Sequence, residues 1–557
     1  MTAPALPAER PRADAAAAAG DSMTVAAWTL TSRLTGLARF AAIGAVLGPT
    51  FFGNTYQFTN SLPNLVYYGF LAGSLFSSLL VPALVRHIDA GDRRATERVA
   101  GGFMGATLLA LVAITPLAIL GGPLALQVAA LGGPHAVGAA QVEVGRLLIL
   151  MFVPQMYCYA VVGTATAVMN ARRRFALAAA APAVENLGTI AVLAAAAMIY
   201  GTGGSLARVP TGELLLLGLG STGAVALHAA TQWWGARRAG VTLVPRRGWR
   251  DGEVRVVIRR ALPSLAQAGL GALEVLALLV GANRLPGGVV AFQIALNFYY
   301  LANALGTTPV ALSLLPRLAR MNMDGDAQAF RMTLARGLSL GFFLTVPAAV
   351  AYLALALPLA RALSFGRMDS ASGVTMVAVS LAPLALAVLG QTAFMIATYA
   401  SYSRKDTRTP LRSTVLEAAL CLGLVGVALT LHGLAVLVML GLALAVSVTI
   451  AAWHLTARLW RSTGGRGWPL LAPSLARFAA GALLMAGPAW LTATAVARWL
   501  GPPFGSRAGI LAAAAVGAGI YVGIQALWRT PEVGWLAGGL ADIRAKARRA
   551  IADTGHG

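Results

Sequence analysis

Charge is scarce in this chain. Only 11% of its 557 residues are Asp, Glu, Lys or Arg, against about 25% in an ordinary soluble domain. With 58% hydrophobic residues and a mean hydropathy of +0.72, a soluble globular protein is excluded. Lysine is almost missing, since Lys405 and Lys546 are the only two. That bias towards Arg, with heavy use of Ala and Gly, points to a GC-rich bacterial genome. Cysteine is nearly absent too. Cys158 and Cys421 both lie in apolar stretches, so neither a disulfide nor a metal site is implied. No HExxH, GxSxG or phosphate-loop pattern carries a catalytic site, so neither an enzyme nor a cofactor is expected. The formal net charge of +23 would suggest nucleic acid in a soluble protein. Here the arginines sit in short loops between apolar stretches, as the positive-inside rule requires, and no nucleic-acid partner follows.

What is present is a series of apolar stretches of about 20 residues or more, each long enough to cross a bilayer. They fall at 24–47, 54–85, 95–120, 141–169, 175–200, 211–236, 254–282, 288–315, 328–358, 371–402, 409–431, 433–457, 474–497 and 505–528. The fold class is therefore an all-α polytopic membrane protein of about fourteen transmembrane helices. Residues 1–22 are rich in Ala and Pro, lack the basic-then-apolar pattern of a cleavable signal, and read as a disordered cytoplasmic tail. Residues 529–557 read as a basic cytoplasmic tail.

Arginine alternates from loop to loop. Arg86, Arg93, Arg94 and Arg98 follow the second stretch, Arg172 to Arg174 the fourth, and eight arginines from Arg237 to Arg260 the sixth. Loops after odd-numbered stretches are poorer in Arg. This places the even loops and both termini on the cytoplasmic side of a bacterial plasma membrane. The chain also repeats itself. Leu80-Val-Pro-Ala-Leu-Val-Arg-His-Ile-Asp-Ala-Gly-Asp92 is similar to Leu314-Leu-Pro-Arg-Leu-Ala-Arg-Met-Asn-Met-Asp-Gly-Asp326, with Pro, Leu, Arg, Gly and Asp shared at an offset of 234. The same offset takes Arg174 to Arg408. An even number of helices per repeat gives both halves one orientation. The expected organisation is two parallel six-helix lobes, 23–240 and 241–462, around a central cavity, with two further helices in 463–528.

Polarity inside the spans marks candidate functional residues. The second span holds Asn54, Gln57, Asn60, Asn64 and Tyr67, which have no use against lipid because an unpaired polar group there costs several kcal/mol. They suit a wet cavity. Asn60 and Asn64 also flank Pro63, whose kink frees a carbonyl they could satisfy. Asn297, Tyr299, Tyr300 and Asn303 form a matching cluster in the eighth span. Arg33 and Arg39 lie in the first, where a mid-bilayer Arg costs about 2.5–3.5 kcal/mol. A guanidinium facing a cavity can grip a phosphate or diphosphate with two parallel hydrogen bonds. Glu185, Glu274 and Glu417 are isolated carboxylates in the fifth, seventh and eleventh spans. Each suits an ion-coupling site, or a partner for a loop arginine. Asp324-Gly-Asp326 could mimic a metal-binding acidic pair of a glycosyltransferase, but its repeat counterpart Ala90-Gly-Asp92 argues for a structural turn.

Four stretches carry a family resemblance: Ser32-Arg-Leu-Thr-Gly-Leu-Ala-Arg39; Leu62-Pro-Asn-Leu65 with Gly73 to Pro82; Asn170 to Phe175 with Pro182 and Asn186; and Tyr402-Ser-Arg-Lys-Asp-Thr-Arg-Thr-Pro410. Together they resemble the MurJ (MviN) lipid II flippase family of the multidrug/oligosaccharidyl-lipid/polysaccharide exporter superfamily, as a divergent actinobacterial-type member. The resemblance implies a flippase for an undecaprenyl-diphosphate-linked cell-wall precursor, with membrane lipids and cell-wall synthesis or division proteins as its surroundings. It implies that Arg39, with Arg33, holds the diphosphate, and that Asn54, Asn64, Tyr67 and Asn297 hydrogen-bond the headgroup. The family's first-helix cavity arginine matches Arg39. Its acidic residue early in helix two falls on Asn54, and its arginines in helices two and eight fall on Tyr67 and Asn297. Three charged positions are thus neutral. A flippase for another lipid-linked oligosaccharide, or a cation-coupled exporter of the same superfamily, is the alternative reading. A membrane glycosyltransferase is a third.

Overall fold

A computed structural model describes residues 10–67, 80–130, 135–465 and 467–535, with backbone alone for 10–26, 135–136 and 260–261. Its helices are α1 (Arg10–Leu47), α2 (Phe51–Asn64), α3 (Val81–Asp89), α4 (Arg93–Ala130), α5 (His135–Ala171), α6 (Phe175–Ala180), α7 (Pro182–Tyr200), α8 (Thr211–Arg238), α9 (Gly252–Ala282), α10 (Gly288–Ala302), α11 (Thr308–Met323), α12 (Ala327–Ala354), α13 (Ala356–Leu363), α14 (Ala371–Ser403), α15 (Arg408–Ala428), α16 (Ala435–Ser462), α17 (Trp468–Leu500) and α18 (Gly505–Leu527). No strand occurs among the described residues. Thirteen segments there are long and apolar enough to cross a membrane. They match the expected spans except the second, which includes residues 68–79, outside the described residues.

Two boundaries differ from expectation. The N-terminal segment is helical from Arg10 onwards, because Ala15 to Ala19 have the highest helix propensity of any residue type. At the other end, the segment after α18 starts docked: Ser339 of α12 donates to Glu532 Oε1 at 2.6 Å. Residues 1–9 and 536–557 lie outside the described residues.

The sequence repeat is visible in atomic detail. After α3, the Asp92 amide donates back to His87 with Gly91 at φ 68°; after α11, the Asp326 amide donates to Met321 with Gly325 at φ 71°. Positive φ suits Gly, which has no Cβ to clash. Each Asp then caps the next helix, Asp92 Oδ1 accepting from the Ala95 amide and Asp326 Oδ1 from the Ala329 amide, both at 2.8 Å. The Asp324-Gly-Asp326 sequence is thus a turn and cap. A second turn of this kind ends α5, from the Arg174 amide to Met169, and recurs at the end of α14, from the Asp406 amide to Ser401. There the offset is 232 residues, so Arg174 corresponds to Asp406 rather than Arg408. Helix pairing repeats as well. In the first half α5 packs on α2, α4 and α8, and α7 on α1 and α8; in the second, α14 packs on α10, α12 and α16, and α15 on α9 and α16. α17 and α18 form a hairpin held on α12 and α13.

The two ends of the bundle differ. At one end the odd-numbered loops meet: Gly203 donates to Val46, Arg367 to Thr202, and Gly287 to Thr50. At the other lie the arginine-rich loops. There the linker 239–251 between the halves lies along α4, with the Arg246 amide donating to Gly101 at 2.9 Å. A Cβ at Gly101, Gly105 or Gly248 would strike the facing backbone, so glycine is what lets the strap lie close. Glu253 at the start of α9 bonds Arg86 and His87, both at 2.9 Å, and Asp251 faces Arg98 at 3.4 Å.

The family-like loop 402–410 acts by capping. Asp406 Oδ1 accepts from the Arg408 and Thr409 amides at 3.1 and 3.0 Å, and Tyr402 donates to Gln267 Oε1 of α9 at 2.6 Å. Burial pushes the Asp406 carboxyl up, but the hydrogen bonds from Thr409 and Arg408 and the Arg404 charge outweigh it and hold the group below the usual range. Because the folded value is depressed, this stability is present above the ordinary carboxylate pKa of about 4. It is lost as pH falls through the folded value. Asp406→Ala should cost about 1 kcal/mol, read as a lower melting temperature at pH 7, with the difference from wild type shrinking on acidification.

Candidate functional site

Arg39 sits on α1 at a cavity of about 180 Å³ whose wall also includes Gln57, Asn60, Ser61 and Asn64 of α2, Tyr159 of α5, Val275 of α9, and Gln293, Asn297 and Tyr300 of α10. Both halves of the chain therefore build it. Among the described residues, Arg39 is the one charged residue on this wall. Its position comes from α1 packing on α6, α7 and α10.

A buried network orients it. Arg39 Nη1 lies 3.0 Å from Glu185 Oε1 of α7, and Tyr159 donates to the same oxygen at 3.1 Å. His228 Nδ1 of α8 is 2.9 Å from Glu185 Oε2, and Gln232 lies against the far ring nitrogen at 3.5 Å. The side chains of Arg39 and Glu185 are 19% and 10% exposed. So Glu185 is neither isolated nor paired with a loop arginine: it anchors the cavity arginine. Removing one member of such a group leaves its partners buried and uncompensated, which costs about 3–5 kcal/mol. Arg39 keeps some contact with the cavity, so the low end, about 3 kcal/mol, applies to Glu185→Leu. Thermal melting of the purified protein checks this, and Glu185→Gln, which keeps a hydrogen-bond acceptor, should lose less.

One end of the cavity is shut by amide side chains. Asn54 is fully buried; its Nδ2 donates to Leu285 O at 2.7 Å, and its Oδ1 accepts from the Val289 amide at 3.1 Å. Gln57 donates to Gln293 Oε1 at 2.6 Å, and Gln293 donates to Ser61 at 2.8 Å. Gln141 and Asn283 exchange bonds of 3.1 and 3.3 Å. Gly287, at φ 82°, lies so close to Pro49 that a Cβ would strike its backbone. Burial then declines along the helices. In α2, residues 52–59 are buried, 60–62 half-buried, and Asn64 exposed; in α10, 288–296 are buried and Tyr300 is exposed. The cavity is closed at the end where α2 begins and opens towards the arginine-rich end.

The expected site residues thus divide. Arg39, Asn64 and Asn297 reach the cavity wall, with Asn297 also donating to Gln293 O of its own helix at 2.8 Å. Asn54 does not: both its polar atoms bridge the halves, making it a strut instead of a headgroup contact. Tyr67 is buried and stacks on Tyr159, ring centroids 5.9 Å apart, behind the wall. Arg33 is exposed and off the wall. Glu274 and Glu417 come together where α9 packs on α15; they are 4% and 7% exposed and electrostatic neighbours. Glu274 Oε1 is buried with no hydrogen-bond partner among the described residues. Sequence reasoning passed over His228, Gln293 and Tyr159. The signal for His228 was a lone histidine in an apolar span, where a satisfied core role is as common as a functional one. No group of three or more metal-ligating side chains occurs among the described residues.

A model of the family described as lipid II flippase MurJ matches residues 43–502. The probable lipid II flippase MurJ of Rhizobium meliloti is 29% identical over 536 residues, covering 94% of this chain and 95% of that one. That of Haemophilus influenzae is 28% identical over 450 residues, covering 77% and 83%. A solved lipid II flippase MurJ in an inward closed conformation has the same fold, with a TM-score of 0.67 at 15% identity over 91% of this chain and 98% of that one.

Proposed function

The chain belongs to the lipid II flippase MurJ family, and from that premise we propose that it carries lipid II, the undecaprenyl-diphosphate-linked peptidoglycan precursor, from the inner to the outer leaflet by alternating access. The observation that carries this reading is Arg39: the one charge among the described wall residues, oriented by Glu185, on a polar cavity built by both halves and sealed at one end. A diphosphate is the headgroup element that a guanidinium can grip with two parallel hydrogen bonds. Neutral amides and Tyr300 around it suit sugar and peptide. The lipid tail stays in the bilayer.

The arginine-rich end is the cytoplasmic one, with both termini on that side. The state described is then open inwards. Passage to the other side requires parting the Asn54, Gln57 and Gln141 bridges and lifting Gly287 away from Pro49. Arg39, in the first half, stays with its own lobe while the far wall moves.

Ion coupling belongs to the other half. Two neighbouring buried carboxylates, Glu274 and Glu417, call for a proton or a small cation to neutralise them in an apolar setting. Glu185 does not suit that role, since Arg39 and His228 already engage it. With no carboxylate on the cavity wall among the described residues, a cation-coupled exporter is the weaker reading. Function beside cell-wall synthesis and division proteins follows from such a cargo.

The test is growth rescue. A host depleted of its own lipid II flippase should grow when this chain is expressed. Lysis despite stable membrane insertion of the chain would exclude lipid II as its cargo.

A further inference from the structure

Away from the central cavity, the end of the bundle where the odd-numbered loops meet holds a second concavity. It has two adjoining parts of about 560 and 260 Å³ that share Arg361 and Ser506. Arg361 ends α13, Arg507 starts α18, and Arg498 lies in the last turn of α17. Among the described residues none of the three has an ion pair, and Arg507 is held by stacking over Phe365, 4.0 Å from the ring centroid. Asp369, also on the wall, bonds none of them.

Two further observations point to an anion. Ser364 lies on the wall, is 3% exposed, and its buried hydroxyl has no hydrogen-bond partner among the described residues. A buried hydroxyl left unpaired costs about 1–3 kcal/mol, a cost that a ligand oxygen would remove. The starts of α14 and α18 also reach the wall, through Ala371 and Ser506. The Gly505 amide donates to Gly501 O, but α18 has no side-chain cap, so the Ser506 and Arg507 amides and the positive dipole end favour negative charge. The depth is that of headgroups: Trp499, Leu500 and Phe504, beside Arg498, are 82%, 47% and 68% exposed. Large aromatics at a helix end mark the boundary between hydrocarbon and water.

We propose that this pocket, between α13, the start of α14 and the α17–α18 hairpin, binds the phosphate of an anionic lipid headgroup in the outer leaflet. The leaflet rests on the orientation given above; the phosphate chemistry does not. Arg361 and Arg507 supply paired donors, Arg498 adds charge at the lip, and Ser364 donates from the floor. The appended hairpin thereby gains a role that the twelve-helix core does not need.

Native mass spectrometry of the full-length protein, released from micelles holding phosphatidylglycerol and phosphatidylcholine in equal amounts, tests this. Phosphatidylglycerol adducts should dominate. Arg361→Gln with Arg507→Gln should lower that preference about tenfold, the effect of losing charge-assisted hydrogen bonds worth about 1.4 kcal/mol. Arg361→Lys with Arg507→Lys should keep most of it. Equal adducts of both lipids in wild type, or a preference untouched by the Gln pair, would overturn the proposal. If inorganic pyrophosphate raises the melting temperature of wild type but not of the Gln pair, while no lipid preference exists, the ligand is a free phosphoanion and the lipid assignment fails. Should the Gln pair melt lower even in neutral lipid, Arg361→Gln alone, on an exposed side chain, carries the test with a smaller loss. Since nothing here depends on transport, failed growth rescue would leave the result standing, and the reverse.

Discussion

Arg39→Ala should abolish growth rescue and weaken binding of lipid II to the purified protein about a hundredfold, the loss of about 2.7 kcal/mol of paired, charge-assisted contact. Among the described residues it is the only charge on the cavity wall, so no neighbour there can replace it. Arg39→Lys should fall between, because an ammonium keeps the charge without the planar two-pronged grip. The Ala variant also strips Glu185 of its cation, so lost stability could imitate lost binding. Arg39→Ala with Glu185→Gln separates the two. Removing the uncompensated carboxylate should restore much of the melting temperature, while headgroup binding stays lost. If the double variant regains both, Arg39 serves only the fold.

Gly287→Val should shift the protein away from the inward-open state proposed above. The position combines a left-handed backbone with near contact to Pro49, so a branched side chain meets both a strained φ and a collision. Closure of the outer end should lose several kcal/mol, enough to change which state dominates. Ser61→Cys, placed on the cavity wall in a background where Cys158 and Cys421 are Ala, reports this through a membrane-impermeant thiol reagent. Labelling from outside should be slow with Gly287 and at least about tenfold faster with Val. Equal labelling would mean that the Pro49 contact does not govern closure.

Much of the architecture can be read from the sequence because its causes are local. Hydrophobic length locates the spans, and the Gly-Asp pairs at 91–92 and 325–326 are the same turn and cap twice over. Arg39 stands out because an Arg in an apolar span is costly enough to demand a reason. What the sequence conceals depends on helix phase and on distant packing. Asn54 and Asn64 share a helix and a residue type, yet Asn54 spans the halves and Asn64 faces the cavity. Only the partner loop around Leu285 and Val289 tells them apart. Tyr67 is polar enough for a wall but turns its ring onto Tyr159. Glu185 and His228 meet because α7 packs on α8, 43 residues apart in sequence, and Glu274 meets Glu417 across α9 and α15. No spacing rule reaches those distances. The neutral residues where the resemblance implies charge also separate: Asn54 bridges the halves, while Asn297 lines the cavity.

External accessibility of lipid II is the most direct measurement. In cells depleted of their own flippase and expressing this chain, an externally added lipid II-cleaving enzyme should digest the precursor. The same cells carrying Arg39→Ala, inserted at an equal level, should keep it protected. Protection in cells with stably inserted wild-type protein, or equal cleavage with Arg39→Ala, would contradict transport of a diphosphate-linked headgroup past Arg39.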